Sequence, residues 1–105
     1  MNIFLVFSTA PNHSVARKIA RTLLIRRLTA CVHFTPLGES HYWWKGKIEK
    51  SKEFLIIFKT SKKALPSLIQ TLKNLHPYET PEILAVRSDK GYPAYLKWVI
   101  QETKK

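Results

Sequence analysis

The sequence predicts an α+β fold, a ferredoxin-like sandwich with helices laid against an antiparallel sheet. Three features point there. Strand-like segments alternate with stretches of helical spacing in the order β-α-β-β-β-α-β-α, two of the middle strands form one long β-hairpin, and no repeat or linker divides the 105 residues. The chain is read as one domain, residues 1–105.

Residues 2–9, NIFLVFST, are β-branched and aromatic with apolar residues on both faces, which suits a strand central in its sheet. APNHS breaks it. From Asn12 or Ser14 the spacing turns helical: Ala16, Ile19, Ala20, Leu23 and Leu24 share one face, with Lys18, Arg21 and Thr22 turned away. Arg26 and Arg27 fall near its C-terminal end, where they favour the helix dipole.

TACVHFTPLG returns to period two, with Ala30, Val32 and Phe34 facing one way and Cys31, His33 and Thr35 the other. LGES supplies a turn, and HYWWKGKIEK leads back as the second arm of the hairpin. EFLIIFKT has five successive apolar residues and belongs in the middle of the sheet. Ser61 can cap a second helix, in which Leu65, Leu68, Ile69, Leu72 and Leu75 keep helical spacing and Pro66 sits in the first turn or removes one early bond. HPYETP ends that helix, EILAVRSD forms a last strand, and GYPAYLKWVIQET closes with a short helix carrying Tyr95, Trp98 and Val99 on one side.

Helices on one face leave the other face apolar and in need of a partner. Trp43 and Trp44 raise the same need, because neighbours on a strand point to opposite faces. One indole is expected under the helices, the other on a surface that a second copy of the chain covers.

Eighteen Lys+Arg against seven Asp+Glu give a formal charge of +11, and no acid precedes Glu39. Charge of this kind supports solubility and nonspecific attraction to polyanions but specifies no site. Aromatics flanked by Lys45, Lys47, Lys50 and Lys52 would suit base stacking, yet the strands lack an RNP-type motif, so nucleic acid is not expected as a partner. No apolar run approaches a membrane span. The apolar start has no basic residue ahead of it and reads as a strand rather than a signal peptide, so a cytoplasmic location is expected. A lone cysteine, Cys31, excludes an internal disulfide framework. Ser-His-Asp groupings, paired carboxylates and glycine-rich phosphate loops are absent as sequence patterns, so the chain reads as a binding protein and not an enzyme.

Two groups of side chains invite a ligand. His76, Tyr78 and Glu79 lie in a short segment pinned by Pro77 and Pro81, where imidazole, phenol and carboxylate can converge on a metal ion or a small anion. Cys31 and His33 share a strand face and form a thiolate-imidazole pair suited to copper.

STAPN, LTACV, YWWKGKIE, FLIIFKT, LHPYETPEI and GYPAYLKWV, in this order and spacing, resemble the CutA family of divalent-cation tolerance proteins over nearly the whole chain. The resemblance implies a small cytoplasmic homotrimer, similar in architecture to PII signalling proteins, with Tyr42, Trp43 and Trp44 at the trimer interface. It also implies an inter-subunit cleft lined by Lys59, Tyr78 and Glu79. Copper or another divalent metal ion is the expected cofactor, held weakly through His76 and Glu79 of the proline-pinned segment and through the strand pair Cys31 and His33. A PII-like sensor that binds a small anion or a protein in the cleft is the alternative. Two family ligand positions differ: Ser8 stands for a cysteine and Leu75 for a histidine, which leaves His76 alone of that set. The family's usual acidic residue after the paired aromatics is Lys45 here.

Overall fold

The computed structural model describes residues 1–103. Seven elements follow one another: β1 (Ile3–Ala10), α1 (His13–Ile25), β2 (Cys31–Trp44), β3 (Lys47–Ser61), α2 (Leu65–Leu75), β4 (Leu84–Arg87) and α3 (Pro93–Glu102). They build one four-stranded sheet in the order β2-β3-β1-β4, with antiparallel neighbours throughout.

The sequence expectation of three strands between the helices becomes two. LGES is no turn. Gly38, Glu39 and Ser40 pair with Glu53, Lys52 and Ser51, and the ladder shifts register only between Thr35 and Gly38, so the chain crosses this stretch on a bulge and continues to Trp44. The turn comes where Trp44 pairs with Lys47, leaving Lys45 and Gly46 as a two-residue connection with φ of 51° and 80°. Two successive positive φ values define a type I′ turn, whose twist matches that of the flanking strands. The two long strands therefore form an arm, and the molecule measures 44 × 26 × 23 Å.

Helix α1 starts because Asn12 Oδ1 accepts the Val15 N–H at 2.9 Å, and it buries Ala16, Ile19, Ala20 and Leu23. Leu24, expected on that face, is exposed. The helix ends where Arg27 takes φ 59° and the Leu28 N–H donates back to the Leu23 carbonyl at 2.9 Å. In α2 the proline falls at the first turn, where it removes no helical bond, and the Ser61 hydroxyl accepts the Ala64 N–H just before it.

The main core lies between these two helices and one sheet face: Val6, Ala10, Phe54, Ile56 and Phe58 meet Ile19, Leu23, Leu68 and Leu72. The other face is not wholly bare. Helix α3 packs Leu96 and Val99 on Ile3, and the Thr103 hydroxyl donates to Ser61 Oγ at 2.8 Å. Val99 is thus buried, whereas Tyr95 and Trp98, expected on the same side of the helix, point outward and lie 5.8 Å apart, centroid to centroid. Beyond α3 the face carries Leu5, Phe7, Leu55, Ile57, Leu84 and Val86, related by the ladder register and partly or largely exposed. Among the described residues no helix is long and apolar enough to cross a membrane.

Candidate functional site

Where the hairpin arm leaves the body of the sheet, a cleft of about 780 Å³ opens between Tyr42–Trp44 of the arm, Thr9 at the end of β1, and the segment from Tyr78 to Glu82. The strand geometry sets this up. Ser40, Tyr42 and Trp44 pair opposite Ser51, Glu49 and Lys47, so these side chains share one face of the arm with Glu53.

At the centre is Glu53, 8% exposed. Its Oε2 accepts from Tyr78 Oη at 2.7 Å and from Thr9 Oγ1 at 3.2 Å. A carboxylate this deep is costly unless donors surround it, and two hydroxyls supply them. Burial first, then the hydrogen bond to Glu53 and its charge, raise the Tyr78 phenol well above its ordinary value. Glu79 and Glu82 stand exposed on the rim. Three of the chain's seven acids line this cleft and, among the described residues, no Lys or Arg does, which makes it acidic within a +11 molecule.

His76 is beside the cleft but not open to it. It is 7% exposed, its Nε2 lies 2.6 Å from the Thr9 carbonyl, and its Nδ1 accepts the Tyr78 N–H at 3.2 Å. A backbone N–H can only donate, so Nδ1 carries the lone pair and Nε2–H donates to Thr9. Both nitrogens are thereby engaged inside the fold, and the imidazole expected as a metal ligand instead fixes the loop that presents Tyr78 and Glu79.

The remaining candidates lie elsewhere. Cys31, half-buried, is the cross-strand partner of Lys59, and the exposed His33 is opposite Ile57, all on the open sheet face. Lys59 is six residues along β3 from Glu53, about 20 Å at strand rise, so it does not share the cleft with Tyr78 within one protomer. No group of three or more His, Cys, Asp or Glu is gathered as a metal cage among the described residues. The indoles also depart from expectation. Neither packs under a helix: Trp43, across from Ile48, is 72% exposed and Trp44 37%, because the arm projects past α1 and α2.

Glu53 and Glu82 were not among the residues singled out from sequence. The signal for Glu53 was present: an acid opening an all-apolar strand, two residues before Leu55 and so on the same open face.

The family model for the CutA1 divalent ion tolerance protein matches residues 4–102. Among curated proteins, protein CutA of Mus musculus is 44% identical over 97 residues, covering 92% of this chain and 55% of that protein. The divalent-cation tolerance protein CutA of Pyrococcus horikoshii is 41% identical over 103 residues, 98% of this chain and all of the relative. The chain thus spans about half the length of the mammalian relatives and the full length of the archaeal one. Among solved structures, CutA from Xylella fastidiosa superposes with a TM-score of 0.94 at 40% identity, covering 97% of this chain and 98% of that one. On family match, identity and fold together, the chain belongs to the CutA family of divalent-ion tolerance proteins.

Proposed function

We propose that the protein is the protomer of a cytoplasmic homotrimer that confers divalent-cation tolerance by weak, non-catalytic binding, with the acidic cleft as the seat of the cation. The observation that carries the reading is the concentration of Glu53, Glu79 and Glu82 in one cleft without Lys or Arg lining among the described residues, in a chain of opposite overall sign. The open apolar face and the exposed Trp43, Trp44 and Ile48 supply what a trimer would bury. Oxygen donors of this kind hold a divalent ion without the rigid cage that high affinity needs, which suits weak binding. Cys31 with His33 is a second, softer donor pair on the open face, placed where a subunit boundary would run.

Isothermal titration of metal-stripped protein with Cu(II) tests this. One ion per protomer is expected, weakened tenfold or more by Glu79→Gln and little changed by Cys31→Ser. Uptake that survives Glu79→Gln and Glu53→Gln but vanishes in Cys31→Ser would move the site to the open face.

A second reading is a PII-like sensor whose inter-subunit cleft takes a small anion or a partner protein. It is favoured by Lys59, half-buried on the open face and without an ion pair among the described residues, a placement from which a neighbouring subunit could meet it.

A further inference from the structure

The acids are confined to the hairpin arm, the cleft segment and the α3 end: Glu39, Glu49 and Glu53, then Glu79 and Glu82, then Asp89 and Glu102. None lies in residues 10–38 or 54–78, which contain both α1 and α2. The helix layer is therefore positive without any internal acid to offset it. Sequence alone could not say whether these charges share a surface. In the fold they do.

Arg17, Lys18 and Arg21 of α1 and Arg26, which caps its C-terminus, are all exposed, as is Lys73 on the adjacent α2, and none of them is ion-paired among the described residues. Arg27, by contrast, is held by Glu102 at 2.7 Å. His13, Arg17 and Arg21 recur at four-residue intervals and form one ridge about 12 Å long, with Lys18, Thr22 and Arg26 as the ridge beside it. His13, Arg17, Lys18 and Arg21 together border an open groove of about 380 Å³.

We propose that the solvent face of α1, extended by Lys73 of α2, is a docking surface for the phosphate backbone of a nucleic acid, read without sequence preference. Three arginines within the surface suit phosphate, because the guanidinium fork donates two parallel hydrogen bonds to one phosphate group. A ridge about 12 Å long spans three to four phosphates of one strand at 3.4 Å per nucleotide. The face does not suit a lipid bilayer: an interfacial helix sinks an apolar stripe among the headgroups, and here that stripe, Ala16, Ile19, Ala20 and Leu23, is already used in the core. Only Leu24 and Ile25, at the last turn, are exposed apolar residues on this helix. The surface lies on the side of the sheet away from the open apolar face, which carries Glu53.

Fluorescence anisotropy with a labelled 25-base-pair duplex of random sequence, from 50 to 200 mM salt, tests the proposal on the full chain. Binding at 50 mM salt is expected, weakened at least tenfold in the triple variant Arg17→Gln, Lys18→Gln, Arg21→Gln. The slope of log K against log salt should become shallower by about 2 to 3, as three phosphate contacts are removed. A control variant, Lys45→Gln, Lys90→Gln, Lys97→Gln, removes the same charge from exposed positions outside α1 and α2 and should bind like the parent. Urea midpoints confirm that both variants fold. No binding at 50 mM salt overturns the proposal. So does equal weakening of both variants, which would reduce the effect to net charge. Binding to phosphatidylserine vesicles but not to the duplex, lost in the triple variant, would assign the surface to lipid instead.

Discussion

At the scale of single residues, the cleft is organised by hydrogen bonds that cross the fold. Thr9 is the hub: its carbonyl accepts from His76 and its hydroxyl donates to Glu53, which also accepts from Tyr78. The phenol, raised above the usual value near 10, keeps its proton in the folded state where the unfolded chain would release it. The folded state then binds more protons above pH 10, so this contribution to stability is complete below that pH and fades as pH rises through it. Urea unfolding from pH 8 to 11 should show stability falling above about pH 10, and Tyr78→Phe should flatten the fall while costing about 1 kcal/mol at pH 8 through the lost bond to Glu53. An unchanged slope in the variant would remove Tyr78 as the group responsible. Sequence pointed to Tyr78 and Glu79 because two prolines mark a rigid loop. It could not show that the His76 nitrogens are both consumed, since their partners, Thr9 and Tyr78, depend on a contact across 67 residues.

At the scale of elements, strands and helices were legible where periodicity was strong. Residues 12–25 and 65–75 declared their helices through i, i+3, i+4 spacing, and the Asn12 cap and early Pro66 behaved as local chemistry requires. The hairpin misled because its turn chemistry is split. LGES looks like a turn but is carried by a bulge, whereas the true turn puts a lysine at a position that asks for Asn, Asp or Gly. Lys45 at φ 51° is strained by its Cβ, and Gly46 at φ 80° has open space around it, so only its backbone freedom matters. Lys45→Asn should raise stability by up to about 1 kcal/mol and Gly46→Ala should lower it by about 1 kcal/mol, read as urea midpoints. Opposite signs, or no change in either, would contradict the turn assignment. The last helix was legible in extent but not in placement: from sequence Tyr95, Trp98 and Val99 shared one side, while in the fold Leu96 and Val99 hold it to Ile3.

At the scale of the whole molecule, two surfaces are left exposed by the fold. One is apolar, formed by the open sheet face with Trp44 on the same side of the arm, while Trp43 and Ile48 lie exposed on the arm's opposite side; the other is basic, formed by the helix layer. Between the sheet and the arm lies the acidic cleft. The adjacent tryptophans were read from sequence as a demand for a partner, and their exposure in the protomer agrees with that demand, although neither is shared with the core. In the proposed function these features act together: the apolar surface assembles three chains, and the cleft, preorganised by Thr9, His76 and Tyr78 around Glu53, receives a divalent cation. Native mass spectrometry of metal-stripped protein titrated with Cu(II) examines both halves at once. A trimer that takes up copper in a fixed ratio per chain is expected, with uptake lost and the trimer kept in Glu79→Gln. A monomer, or a trimer that takes up no copper, would contradict it.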